Sequence, residues 1–135
     1  MIRVMVVDGN DLLRQALREA LYAERDIEIV ADYEDGEEAA EHLDLAPDVV
    51  VTDLSMPRRD GVDLTRLIMR TRPATRVLVL TATPHGRRAD EALAAGASAI
   101  LAKGTSLDDL VAAVLDPGRG TPARRAPATG RPPRC

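Results

Sequence analysis

Phenylalanine and tryptophan are absent from this chain of 135 residues, and Tyr22 and Tyr33 are its only aromatic side chains. Without aromatic platforms on which bases could stack, single-stranded nucleic acid is a poor partner. The core has to come from Val, Leu, Ile and Ala, a composition that favours helices packed on a sheet of branched residues. Cysteine occurs once, as Cys135, which excludes an intramolecular disulfide and predicts a reducing, cytoplasmic location. Long apolar runs are missing too. The opening MIRVMVVDGN reaches Asp8 after a few apolar residues, too short for a secretory h-region or a membrane span. Lysine is nearly absent, for Lys103 is the only one among 18 basic residues.

What is present suffices for one ordinary domain: 45% of the residues are hydrophobic, enough for a core without disulfides or metals. The net charge of −4 hides an asymmetry. Of 18 basic and 22 acidic residues, the segment 116–135 holds five arginines and one aspartate, leaving 13 and 21 in the first 115 residues, a net of −8. So acidic a body argues against direct binding of nucleic acid, whose phosphates demand positive charge.

Five short apolar runs recur: IRVMVV at 2–7, IEIVAD at 27–32, DVVVT at 48–52, RVLVLT at 76–81 and SAILA at 98–102. Each reads as a buried strand. The intervening segments carry helical spacing over about 11–23, 36–45, 62–72, 86–95 and 106–115. In the first, Leu12, Leu13, Ala16, Leu17, Ala20 and Leu21 share one face. Ser106 is a candidate N-cap followed by first-turn acids, and Gly96 stands where the fourth helix should stop. Strict strand–helix alternation predicts an α/β domain over 1–115, a doubly wound five-stranded parallel sheet with five helices and right-handed crossovers. Residues 116–135 hold five prolines and no aliphatic side chain larger than Ala, so no packed element is expected there, and disorder is.

Open parallel sheets bind ligands beyond the carboxyl ends of their strands. There this chain puts Asp8, Asp53, Thr81 and Lys103, after the first, third, fourth and fifth strands. Singly they are a helix-entry charge, a turn residue, a β-former and a solvated amine. Together they provide what an aspartate needs to take up a phosphoryl group: a cation, a hydroxyl and oxygen ligands for a metal. An ammonium at 103, in a chain that elsewhere uses Arg, suits a phosphoryl oxygen in a confined site. Asp60, before Gly61, reads as structural. His42 and His85 have no partner at ligand spacing and suggest no zinc site.

The constellation VVDG at 6–9, PDVVVTDLSMPRRDG at 47–61, LTA at 80–82 and LAKG at 101–104 resembles the receiver domain of bacterial two-component response regulators. With DGEEA at 35–39, it is most similar to receivers that precede a LuxR-type (NarL/FixJ-like) helix-turn-helix. The resemblance covers 2–115. It implies a flavodoxin-like fold with sheet order 2-1-3-4-5 and a non-enzymatic module that takes a phosphoryl group from a sensor histidine kinase. Asp53 would be the phosphoacceptor, with Thr81 and Lys103 contacting the phosphoryl group. Asp8, Asp53 and the backbone carbonyl of Ser55 would ligate Mg²⁺. Self-association as a homodimer would use the fourth helix, fifth strand and fifth helix.

The chain departs from that family pattern at three places. Gly9 stands where the family has a second acid, and losing even an outer-shell partner costs a metal roughly 10–100-fold in affinity. Ile100 replaces an aromatic ring that moves with the Thr. An Arg/Pro-rich segment stands where a linker and a helix-turn-helix would follow. Gly9 and Ile100 sustain a rival reading, a receiver that works without phosphorylation as a protein- or ligand-binding module. An aspartate-nucleophile phosphatase would need a second acid two residues after the nucleophile, whereas Asp53 is followed by Ser55 and Asp8 by Asn10. No Gly-rich phosphate loop follows any strand, which argues against nucleotide binding.

Overall fold

The computed structural model describes residues 1–116 and 122–126. The described residues alternate β1 (Ile2–Val7), α1 (Asp11–Tyr22), β2 (Ile27–Tyr33), α2 (Gly36–Glu41), β3 (Val49–Asp53), α3 (Gly61–Thr71), β4 (Arg76–Thr81), α4 (Arg87–Ala95), β5 (Ala99–Ala102) and α5 (Leu107–Leu115), followed by a short β6 (Arg124–Arg125). The sheet order is β2-β1-β3-β4-β5-β6. All pairs are parallel except β5 with β6.

Successive strand residues point to opposite faces, and here both faces are apolar. Val4, Val6, Val49, Val51, Leu78, Leu80 and Leu101 meet Leu17 and Leu21 of α1 and Leu110 and Val114 of α5. Met5, Val7, Val50, Val77, Val79 and Ile100 meet α2, α3 and α4 through Ala39, Val62, Ile68, Ala89 and Ala92. Two cores therefore sandwich one sheet. At its carboxyl edge, polar side chains converge from several strands.

The helix ends follow local chemistry. Asn10, Asp35, Asp60 and Ser106 each accept a hydrogen bond from an amide in the first turn of α1, α2, α3 and α5. Gly96 closes α4 at φ 118°, where a Cβ would also meet Met69 Cγ at 2.5 Å. The carbonyls of Ala113 and Val114, in the last turn of α5, accept from the Arg76 guanidinium at 3.1 and 2.6 Å.

The structure differs from the sequence expectation in three respects. The helix expected over 36–45 breaks at His42 and resumes as a 3-10 turn over Leu43–Leu45, because Ala46 takes the left-handed conformation (φ 56°) and Pro47 cannot continue a helix. Leu12, expected on the apolar face of α1, is 79% exposed in the first turn of that helix, while its neighbour Leu13 packs on the core. Among the described residues the sheet has six strands, not five, because Arg124 and Arg125 add to the β5 edge. Extended backbone can pair with an open edge whatever its side chains, so composition gave no sign of it. The disorder expected over 117–121 and 127–135 lies outside the described residues. Among the described residues, no helix is long and apolar enough to cross a membrane.

Candidate functional site

β1 ends at Val7 and delivers Asp8 to the carboxyl edge, where its amide donates to the Tyr33 carbonyl at 3.0 Å. Asp8 is 1% exposed. Its Oδ1 accepts the Asn10 amide at 2.8 Å, while its Oδ2 is buried without a hydrogen-bond donor. Burial pushes the Asp8 carboxyl above its ordinary value; the Asn10 amide opposes this, the nearby Asp53 charge adds to it, and Lys103 again opposes it.

Asp53 closes β3. Its Oδ1 accepts the Leu54 amide at 2.7 Å and its Oδ2 accepts from Lys103 Nζ at 3.2 Å. Lys103 follows β5 and reaches both acids, lying 3.5 Å from Asp8 Oδ2. Its amide donates to the Thr81 carbonyl at 2.9 Å, which ties the ends of β4 and β5 together. Three of the four expected residues thus form one ion cluster, an ammonium between two carboxylates. Thr81 stands at the end of β4, one residue beyond Leu80, the register partner of Asp53. Its hydroxyl accepts the Thr83 amide at 3.1 Å. Ser55 is exposed in the loop two residues past Asp53.

Gly9 leaves a gap in the cluster. A Cβ there would meet the Glu34 carbonyl oxygen at 3.5 Å, an ordinary contact, so the position has room for a side chain that the sequence does not supply. Among the described residues, no group of three or more His, Cys, Asp or Glu is placed to hold a metal ion. A pair of carboxylates, one with a buried oxygen that accepts no hydrogen bond, still fits Mg²⁺, which is usually held by one or two carboxylates together with waters and phosphate oxygens. Ile100, the other departure, is wholly buried in the core between the sheet and α4.

Several residues that shape the site escaped the sequence reading. Gly61, first residue of α3, packs so closely on the acceptor strand that a Cβ would lie 2.2 Å from the Asp53 carbonyl oxygen. The β3–α3 loop is latched on both sides: Arg58, at φ 69°, donates to Asp35 Oδ2 at 2.6 Å, Arg59 pairs with Glu37 at 3.1 Å, and Arg88 pairs with the α3 cap Asp60. The Glu38 amide and Arg58 hold the Asp35 carboxyl below its ordinary range. Asp35 could have been found, since DGEE places an acid three residues before Glu38 in the manner of a capping box. Arg58 could not, because nothing local marks an arginine for positive φ. His42 proves structural: its ring stacks on Tyr33 at 5.0 Å, and Nδ1 lies 2.8 Å from the Glu38 carbonyl oxygen.

The chain is similar to known proteins in sequence and in fold. A family model described as the response regulator receiver domain matches residues 4–115. The transcriptional regulatory protein LnrK of Bacillus subtilis is 36% identical over 116 residues, covering 85% of this chain and 53% of the relative. The signal receiver domain of the response regulator NarL from Mycobacterium tuberculosis superposes with a TM-score of 0.81 at 32% identity, covering 87% of this chain and 98% of that one. A two-component response regulator of the LuxR family from Aurantimonas gives a TM-score of 0.79 at 31% identity, covering 90% and 89%. The chain spans about half the length of the curated relatives it matches.

Proposed function

This chain belongs to the response regulator receiver domains, and from that premise we propose that it accepts a phosphoryl group on Asp53 from a phosphohistidine of a sensor histidine kinase. The observation that carries the reading is the Asp53 carboxylate at the carboxyl edge of β3, 3.2 Å from the Lys103 ammonium, with the Thr81 hydroxyl at the neighbouring strand end. An Asp53 carboxylate oxygen attacks phosphorus, the P–N bond to the donor imidazole breaks, the imidazole keeps the bonding pair and takes up a proton, and an acyl phosphate forms. Lys103, already between the two acids, offsets the charge of the arriving oxygens, and the Thr81 hydroxyl, at the end of the adjacent strand, is an uncharged donor. A divalent ion such as Mg²⁺, held by Asp8, Asp53 and the Ser55 carbonyl, would supply further positive charge. Asp8 Oδ2, buried without a hydrogen-bond donor, is an oxygen such an ion would satisfy.

In this reading residues 1–115 are a cytoplasmic signalling module and not an enzyme with turnover. Its partners are the kinase and a second copy met through α4, β5 and α5. It binds no nucleic acid itself, although relatives such as LnrK are transcriptional regulators. The test is incubation with acetyl phosphate and millimolar Mg²⁺, followed by intact-mass analysis. Wild type gains one phosphoryl group and Asp53→Asn gains none while remaining folded. Absence of the adduct in wild type overturns the reading. That outcome would favour the second one, a receiver that binds a partner without phosphorylation, whose supporting observation is the missing carboxylate at Gly9.

A further inference from the structure

β5 is the last parallel strand, and its outer edge would present unpaired N–H and C=O groups. Residues 122–126 cover it. Arg124 and Arg125 pair antiparallel with Ile100 and Ala99, and the Ala126 amide donates to the Ser98 carbonyl at 2.9 Å. Two residues of ladder are marginal alone, and the Arg124 side chain strengthens the attachment. Its Nη1 donates to the Pro84 carbonyl at 3.3 Å and to Asp90 of α4 at 2.6 Å. Pro84 belongs to the loop between β4 and α4, whose root is the turn in which the Thr81 hydroxyl accepts the Thr83 amide. The segment therefore grips an edge, a helix and a loop whose first turn is held by the Thr81 hydroxyl, at the end of the strand next to that of Asp53.

We propose that residues 122–126 are a state-dependent clasp. It is docked on β5 and α4 while the Thr81 hydroxyl holds Thr83, and released when that hydroxyl is drawn away, which uncovers the β5 edge. The proposal rests on the reading of Asp53 as phosphoacceptor only for the agent that draws the hydroxyl: a phosphoryl group brings three strong acceptor oxygens beside it. The two events are reciprocal. If the phosphoryl group weakens the clasp, removing the clasp favours phosphorylation by the same factor at equilibrium.

The test is amide hydrogen exchange of Ala126 in the full chain, with the amides of β3 and β4 as a control for the fold. Arg124→Ala, which removes an exposed ion pair and one hydrogen bond, lowers Ala126 protection roughly fivefold and leaves the control amides unchanged. Thr81→Ala lowers it likewise, whereas Thr81→Ser, which keeps the hydroxyl, preserves it. Acetyl phosphate lowers protection in wild type but not in Asp53→Asn. An unprotected Ala126 amide in unphosphorylated wild type overturns the clasp, and equal protection in Thr81→Ala and wild type overturns its coupling to the site. If Thr81→Ala loosens the segment while acetyl phosphate forms no adduct, the clasp stands and the phosphoacceptor reading falls.

Discussion

Replacing Gly9 with aspartate is the most direct probe of the site's charge balance. The position has an ordinary backbone conformation, and a Cβ there meets only the Glu34 carbonyl oxygen, at 3.5 Å, so the substitution brings neither strain nor clash. It places a third carboxylate beside Asp8 and Asp53. Without metal, that charge repels its neighbours and lowers stability by on the order of 1–4 kcal/mol, the range for unit charges about 4 Å apart from bulk water to a protein surface. Mg²⁺ opposes that cost. An added carboxylate ligand tightens the ion roughly 10–100-fold, about 1.4–2.7 kcal/mol. Urea unfolding at graded Mg²⁺ measures both effects. At a concentration tenfold above its own Kd, Gly9→Asp gains about 1.4 kcal/mol, while wild type, binding at least tenfold more weakly, gains about 0.4 kcal/mol or less. A cooperatively unfolding Gly9→Asp whose midpoint follows Mg²⁺ no more steeply than wild type would refute the placement of the ion between these acids.

Asp8→Asn removes a buried charge whose Oδ2 has no donor and should raise metal-free stability by roughly 1 kcal/mol while abolishing the response to Mg²⁺. Because burial holds the folded Asp8 carboxyl above 3.8, its contribution favours folding in acid and is lost as pH rises through the folded value. The gap between Asp8→Asn and wild type should therefore open above that value and close below 3.8, and a pH-independent gap in denaturation midpoints would contradict this. Asp35 behaves oppositely. Its carboxyl lies below 3.8 in the fold, so its contribution is present above 3.8 and lost as pH falls through the depressed value. Asp35→Asn, which can still cap α2, should be less stable than wild type at neutral pH and converge with it in acid, as followed by circular dichroism. Gly61→Ala drives a methyl group toward the Asp53 carbonyl oxygen, 2.2 Å from the ideal Cβ position, and should cost roughly 1–3 kcal/mol in urea unfolding and slow acetyl phosphate uptake. Unchanged stability would show that α3 can retreat from β3.

The periodic features of this chain could be read directly. Runs of Val, Leu and Ile separated by helical spacing determined the α/β class, the parallel sheet and the face on which Asp8, Asp53, Thr81 and Lys103 emerge, because strand and helix periods are local properties of side-chain pattern. The caps at Ser106 and Gly96 were equally local. Only the tertiary structure decided how the site residues meet: Lys103 bridges both acids, and the Thr81 hydroxyl turns to Thr83 instead. It also decided that Gly61 must lack a side chain and that Arg58 latches the loop to Asp35, since both follow from elements brought together across the chain. The return of Arg124 and Arg125 to the β5 edge was the least legible feature. It is made by backbone hydrogen bonds, which any extended segment can offer, and so its arginines and flanking prolines read as a chain with nothing to pack against.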